Sequence, residues 1–94
     1  MNKDNIMTEI ENVIVLLKEK KKLNDEFKSV YKSFLSIYED AYKKLKKSSD
    51  YKCEDLSGRT SEYVTIVTEE KADKELVEAF WKVESLMKVL YRQN

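Results

Sequence analysis

The sequence predicts a mainly α-helical domain that carries one β-hairpin, in the order α-α-(α)-β-β-α. Three observations support this prediction. Apolar residues recur at helical spacing over residues 4–47 and 69–92. A segment rich in β-branched residues, 62–68, lies between them and follows the only glycine, Gly58. The chain has 94 residues, the length of one domain, so we expect a single domain over 1–94. The alternative architecture is a three-helix bundle with the β-hairpin inserted.

The first predicted helix covers residues 4–23. Asp4 or Thr8 can cap its start, and Thr8 and Glu11 have the spacing of a capping box. One face carries apolar residues at alternating spacings of four and three, namely Ile6, Ile10, Val13 and Leu17.

The same apolar spacing continues as far as Leu45 and is interrupted only at Lys20 and Asn24. One explanation is a single long helix that pairs with another chain as a coiled coil. The other is a chain break at 20–25, with Asn24 or Asp25 capping a second helix. Two consecutive polar positions would weaken a coiled coil, so the sequence favours the break.

The predicted β-hairpin follows these helices. Helical spacing is lost over 49–61, and turn-forming residues cluster around Gly58. Segment 62–68 is expected to form a strand that pairs with 51–54. Gly58 would provide the positive φ that the connecting turn needs.

The last predicted helix covers residues 69–92, with Thr68 or Asp73 as its cap. It carries two adjacent apolar stripes, which is more apolar circumference than one packed face requires. The excess predicts a dimer or partner interface. We assign this interface to Val77, Phe80, Trp81, Met87, Leu90 and Tyr91.

The composition argues against catalysis. The chain has no histidine, the commonest general base and metal ligand. The only cysteine, Cys53, lies beside Glu54 and Asp55, which would raise the thiol pKa. Gly58 stands alone, so no glycine-rich phosphate loop is present. We therefore expect no enzyme activity, no cofactor, no metal site and no small-molecule substrate.

Charge and cysteine content bear on location and partners. Basic and acidic residues both number 18, so the chain has no net charge that would attract nucleic acid or a membrane as a whole. Residues 1–48 have a net charge of +3 and residues 49–94 a net charge of −3. A single cysteine cannot form an internal disulfide and suits a reducing compartment. No apolar run is long enough to span a bilayer, and the N-terminus lacks a signal-peptide pattern. We expect a cytoplasmic protein without a membrane partner.

Residues within 36–90 carry a resemblance to a known family. Ser36 and Glu39 have capping-box spacing before a lysine-rich segment, and Gly58-Arg59 precedes a β-branched run that ends in Thr-Glu-Glu. This pattern resembles the winged helix-turn-helix regulators, particularly small dimeric ones with a C-terminal dimerisation helix. The resemblance implies a homodimer that binds double-stranded DNA. Its DNA contacts would be Lys43, Lys44, Lys46, Lys47 and Arg59.

Two main functions follow from the sequence, with a purely structural coiled-coil assembly protein as a third. The first is a non-enzymatic, homodimeric, winged-helix-like regulator of transcription or replication, although Glu39 and Asp40 place negative charge on its recognition helix. The second is a small inhibitor or immunity-type protein that blocks a protein target, which the neutral charge and Trp81 favour. The abundance of Lys, Asn, Ile and Tyr is typical of proteins from AT-rich genomes, which include those of many phages and mobile elements. A helix break near 33–36 would favour the DNA reader, whereas a continuous helix over 25–47 would favour the protein binder.

Overall fold

A computed structural model describes residues 3–91 of the chain. Four α-helices form a bundle, and none of these residues lies in a β-strand. The predicted β-hairpin is therefore wrong, and so are both architectures built on it, the winged helix and the three-helix bundle with an inserted hairpin. The helices are α1 (Lys3–Leu23), α2 (Lys28–Lys47), α3 (Arg59–Val67) and α4 (Lys74–Leu90), with a 3₁₀ turn at Glu54–Leu56.

The chain break predicted near residues 20–25 is confirmed, because α1 ends at Leu23 and α2 begins at Lys28. The side chain of Asn24 accepts a hydrogen bond from the Phe27 amide at 3.1 Å, which stabilises the turn between the helices. Lys20, the other polar interruption of the apolar spacing, forms ion pairs that connect α1 to the start of α4. Both polar residues thus mark the end of a helix.

Helix α2 is continuous from Lys28 to Lys47, so the predicted start of a recognition helix at Ser36 is wrong. Ser36 is exposed in the middle of this helix, and its neighbours Phe34 and Leu35 are buried. No glycine or proline interrupts the segment, and burial of the apolar face on both sides of Ser36 favours one helix over a capped break.

Segment 62–68 forms most of helix α3 and the residue that ends it. Tyr63 and Val67 are buried and Thr65 between them is exposed, which fits a helix, whereas in an alternating strand all three would lie on one face. Their burial outweighs the helix propensity lost at β-branched residues, which is at most about 0.7 kcal/mol each. Gly58 does have a positive φ of 75°, but it precedes a helix and not a hairpin strand.

Helix α4 begins after Asp73, whose carboxylate accepts a hydrogen bond from the Leu76 amide at 3.1 Å, so this predicted cap is confirmed. The contacts fix the helix directions. Lys20 near the end of α1 contacts the start of α4, and Lys3 at the start of α1 donates to the Leu45 carbonyl near the end of α2. Helices α2 and α4 therefore both run antiparallel to α1.

The core is centred on Phe80 of α4, which is fully buried. Its ring lies 5.6 Å from the ring of Phe34 and 5.4 Å from that of Tyr38, both on α2. The ring of Tyr63 from α3 meets it edge to face at 5.3 Å. Helix α3 thus packs on α2 and α4, while α1 covers the other side of the bundle with apolar residues that include Ile6, Ile10, Val13 and Leu17.

Candidate functional site

A strongly apolar surface groove lies beside Trp81; it has a volume of about 580 Å³ and is open to solvent. Trp81 is 61% exposed, although it lies next to the fully buried Phe80. The other apolar residues of the groove come from three parts of the chain, namely Val64 in α3, Ala72 in the following turn and Val77 in α4. We call this groove, which is also lined by Glu69, Lys74, Glu78 and Lys82, the Trp81 groove.

The position of Trp81 around α4 explains why it is left uncovered. Helix α4 buries Leu76, Phe80 and Val83 on one face, and Trp81 follows Phe80 by about 100° around the helix. Val64 lies on one side of the groove, and no residue of 3–91 packs over the outer side of Trp81 closely enough to bury it.

Charged residues of both signs stand around the groove. Its walls include Glu69, Lys74, Glu78 and Lys82, all of which are exposed. None of the four forms an ion pair with another residue of 3–91. These charges are therefore available to side chains of a bound partner.

The turn that connects α3 to α4 forms one end of the groove and is held from several sides. The Asp73 amide donates to the Tyr63 hydroxyl at 2.9 Å, and Lys20 contacts the Asp73 carboxylate at 3.1 Å. Lys71 pairs with Glu26 at 2.8 Å. The hydrogen bonds that the Lys20 ammonium donates to Glu75 and Asp73 raise the pKa of Lys20, so this lysine stays charged at neutral pH.

The structure brings together only part of the interface predicted on α4. Val77 and Trp81 both line the Trp81 groove. Phe80 belongs to the core and is not accessible to a partner. Met87, Leu90 and Tyr91 are half-buried against the core. Met87 and Tyr91 also line a separate depression of about 440 Å³, which lies beside Lys52 and Glu54.

Cys53 is buried close to Tyr91. Burial raises the pKa of the thiol to about 11, and the charges of Glu54 and Asp55 act in the same direction, while a hydrogen bond with Tyr91 opposes them. At neutral pH this cysteine is therefore protonated and a poor nucleophile.

The lysines predicted to contact DNA are all exposed on the last turns of α2, but their surroundings differ. Lys44 pairs with Asp40 at 3.3 Å and with Asp55 at 2.9 Å. Lys43 and Lys47 form no ion pair with any residue of 3–91, and the ammonium of Lys46 lies 5.5 Å from the Tyr42 ring centre.

Arg59, the fifth residue predicted to contact DNA, is bound within the protein. It is the first residue of α3, where its Nε donates to the Asp55 carbonyl at 2.7 Å and its guanidinium pairs with Glu62. The structure therefore does not place Arg59 at the tip of a wing.

Sequence reasoning missed the contributions of Val64 and Ala72 to the groove. Val64 fell within the predicted strand, and Ala72 was assigned to the interior of a helix that in fact begins at Lys74. The spacing of Tyr63 and Val67 does not reveal α3, because residues four apart share one face in a strand as well as in a helix. No local pattern indicates that Ala72 lies beside Trp81.

No protein-family model matches the sequence, and no curated protein or solved structure shows significant similarity to it. Within residues 3–91, no helix has the length and apolar character needed to cross a membrane.

Proposed function

We propose that this protein is a non-catalytic protein-binding module whose Trp81 groove holds an apolar helix face of a partner protein. The observation that carries this proposal is an exposed tryptophan beside Val64, Ala72 and Val77. Tryptophan is enriched at protein interfaces and among the residues that contribute most to binding. An apolar side chain of a partner would cover the Trp81 ring and remove all four residues from water.

The size of the groove favours a single helix over a second copy of the chain. A stable interface usually involves about 20–30 residues on each side. The groove is lined by eight. One helix of about 10 Å diameter, with apolar residues three or four positions apart, suits a narrow open groove of this kind.

The charges on the groove walls indicate the polar part of the partner. Glu69 and Glu78 would pair with cations, and Lys74 and Lys82 with carboxylates, so the expected helix carries both signs beside its apolar stripe. Specifically, we propose that the protein is a small inhibitor or immunity-type protein that covers such a helix on its target. The continuous α2 also favours this class over a helix-turn-helix reader.

The test combines affinity capture with fluorescence. Tagged wild-type protein, Trp81→Ala and the matched control Leu23→Ala are each used to capture proteins from the native host. Leu23 suits as a control because it is an exposed apolar residue at the end of α1. We expect one stoichiometric partner with the wild type and the control, and at least about 30-fold weaker binding after Trp81→Ala.

Trp81 is the only tryptophan of the chain, so its emission reports directly on the groove. Titration with the purified partner should shift the emission to shorter wavelength as the ring leaves water. Retention of the partner by Trp81→Ala, or an unchanged emission at saturation, would refute the proposal. Sedimentation of the isolated wild type at twice the chain mass, lost in Trp81→Ala, would instead identify the occupant as a second copy, which is the homodimer predicted from the sequence.

A further inference from the structure

A second surface, the outward face of α2, is strongly basic. The helix carries six lysines and two carboxylates. Both carboxylates are paired within the protein, because Asp40 contacts Lys44 at 3.3 Å and Glu39 contacts Lys18 at 3.8 Å. The lysines left without an ion pair among residues 3–91 are Lys28, Lys32, Lys43, Lys46 and Lys47. We call these five residues the α2 lysines.

We propose that the α2 lysines bind the phosphate backbone of duplex DNA, independently of the Trp81 groove and without reading the base sequence. They span about 29 Å along the helix at 1.5 Å per residue. Exposed Ser29, Ser33 and Ser36 stand between the lysine groups and can donate further hydrogen bonds to phosphate oxygens. The negative charge that counted against DNA in the sequence is neutralised by Lys44 and Lys18.

The composition of this face favours duplex DNA over other polyanions. Lysine is depleted at protein–protein interfaces, so a row of five argues against an acidic protein. Membrane-surface helices insert large apolar side chains, but the large apolar residues exposed within residues 3–91 all lie outside α2. Single strands are held by stacking on exposed aromatic rings, whereas Tyr31, Phe34 and Tyr38 of α2 are buried. The ring of the half-buried Tyr42 is already contacted by the Lys46 ammonium.

The test measures binding of a fluorescein-labelled 24-base-pair duplex by the full chain at salt concentrations between about 20 and 200 mM. For five phosphate contacts, log K should fall against log salt with a slope of about −4 to −5. Two duplexes of unrelated sequence should bind equally. Replacing Lys43, Lys46 and Lys47 by Gln should reduce the slope to about −2, and replacing Lys28 and Lys32 as well should abolish binding.

The matched control replaces Lys22, Lys52 and Lys88 by Gln, which removes the same charge from exposed positions outside α2 and outside the Trp81 groove. It should leave the slope unchanged, and circular dichroism should show that every variant retains the helical fold. An equal loss of binding in both triple variants would overturn the proposal, because general charge would then explain it. Failure of the wild type to bind duplex at 20 mM salt, tighter binding of a single strand, or binding only to phosphatidylserine vesicles would also overturn it.

Discussion

Two buried tyrosine hydroxyls differ in their hydrogen bonding. The Tyr63 hydroxyl accepts from the Asp73 amide at 2.9 Å and lies 3.2 Å from the Tyr31 hydroxyl. The Tyr38 hydroxyl is fully buried and has no hydrogen-bond partner among residues 3–91. A buried polar group without a partner destabilises the folded state, whereas a paired one contributes modestly to stability.

Phenylalanine substitutions at these two positions should therefore have opposite effects. Tyr38→Phe removes the unpaired hydroxyl, so we expect the free energy of unfolding to stay the same or rise by up to about 1 kcal/mol. Tyr63→Phe leaves the Asp73 amide without its acceptor and should lower that free energy by about 1–2 kcal/mol. Urea denaturation of both variants measures the difference, and equal destabilisation by the two would contradict the hydrogen-bonding pattern described.

Gly58 is a second position where a single residue matters, because it immediately precedes α3 with a φ of +75°. No atom lies within 4 Å of the place where a Cβ would be added, so only backbone strain opposes substitution. Gly58→Ala should lower the free energy of unfolding by about 1 kcal/mol. Gly58→Asn should cost less, since asparagine tolerates this conformation. Equal stability of Gly58→Ala and the wild type in urea would argue against the positive φ.

At the level of elements, the sequence was informative where a local signal and burial agree. The break after α1 could be predicted because Lys20 and Asn24 interrupt an otherwise apolar face. The Asp73 cap could be predicted from its place before an apolar helix. Helix α3 could not, since its β-branched residues favour a strand locally. Only packing against Phe80 decides for a helix, and that contact joins residues distant in the sequence.

The Trp81 groove and the α2 lysines could likewise be predicted only in part. Trp81 and Val77 stood out because α4 has more apolar positions than one core face requires. The sequence alone does not single out Lys28 and Lys32, since a helix break near 33–36 would place them on a different helix from Lys43. The groove itself could not be predicted, since it depends on the position of α3.

Thr65 distinguishes the helix from the predicted strand. It is exposed in the middle of α3, so its substitution changes mainly local propensity. In a helix, Thr65→Ala should raise the free energy of unfolding by about 0.5 kcal/mol, because alanine is the better helix former. In a strand, the same change should lower it by up to about 1 kcal/mol. Urea denaturation decides the sign, and a loss of stability would contradict the helical assignment.

At the scale of the whole molecule, protons on buried groups couple stability to pH. Burial raises the pKa of Tyr31, of Tyr38 and of Tyr51 above the ordinary value of 10.0. It also raises the pKa of Tyr91 to about 12 and that of Cys53 to about 11. The folded state therefore keeps protons at alkaline pH that the unfolded chain has already released.

The sign of this coupling predicts alkaline unfolding. The pKa values of these groups are higher in the folded state than in the unfolded chain, where they are about 9 for the cysteine and 10 for the tyrosines. Their contribution to the free energy of unfolding is therefore fully present below these unfolded pKa values and is lost as the pH rises above them. Tyrosinate absorbance should lag behind that of free tyrosine and then rise together with the loss of the helical circular dichroism signal. Tyr38→Phe removes one such proton, so above pH 10 its stability should fall less steeply than that of the wild type, by about 1.4 kcal/mol per pH unit. Full tyrosine ionisation at pH 10–11 with the helices intact would show that these hydroxyls are not buried as described.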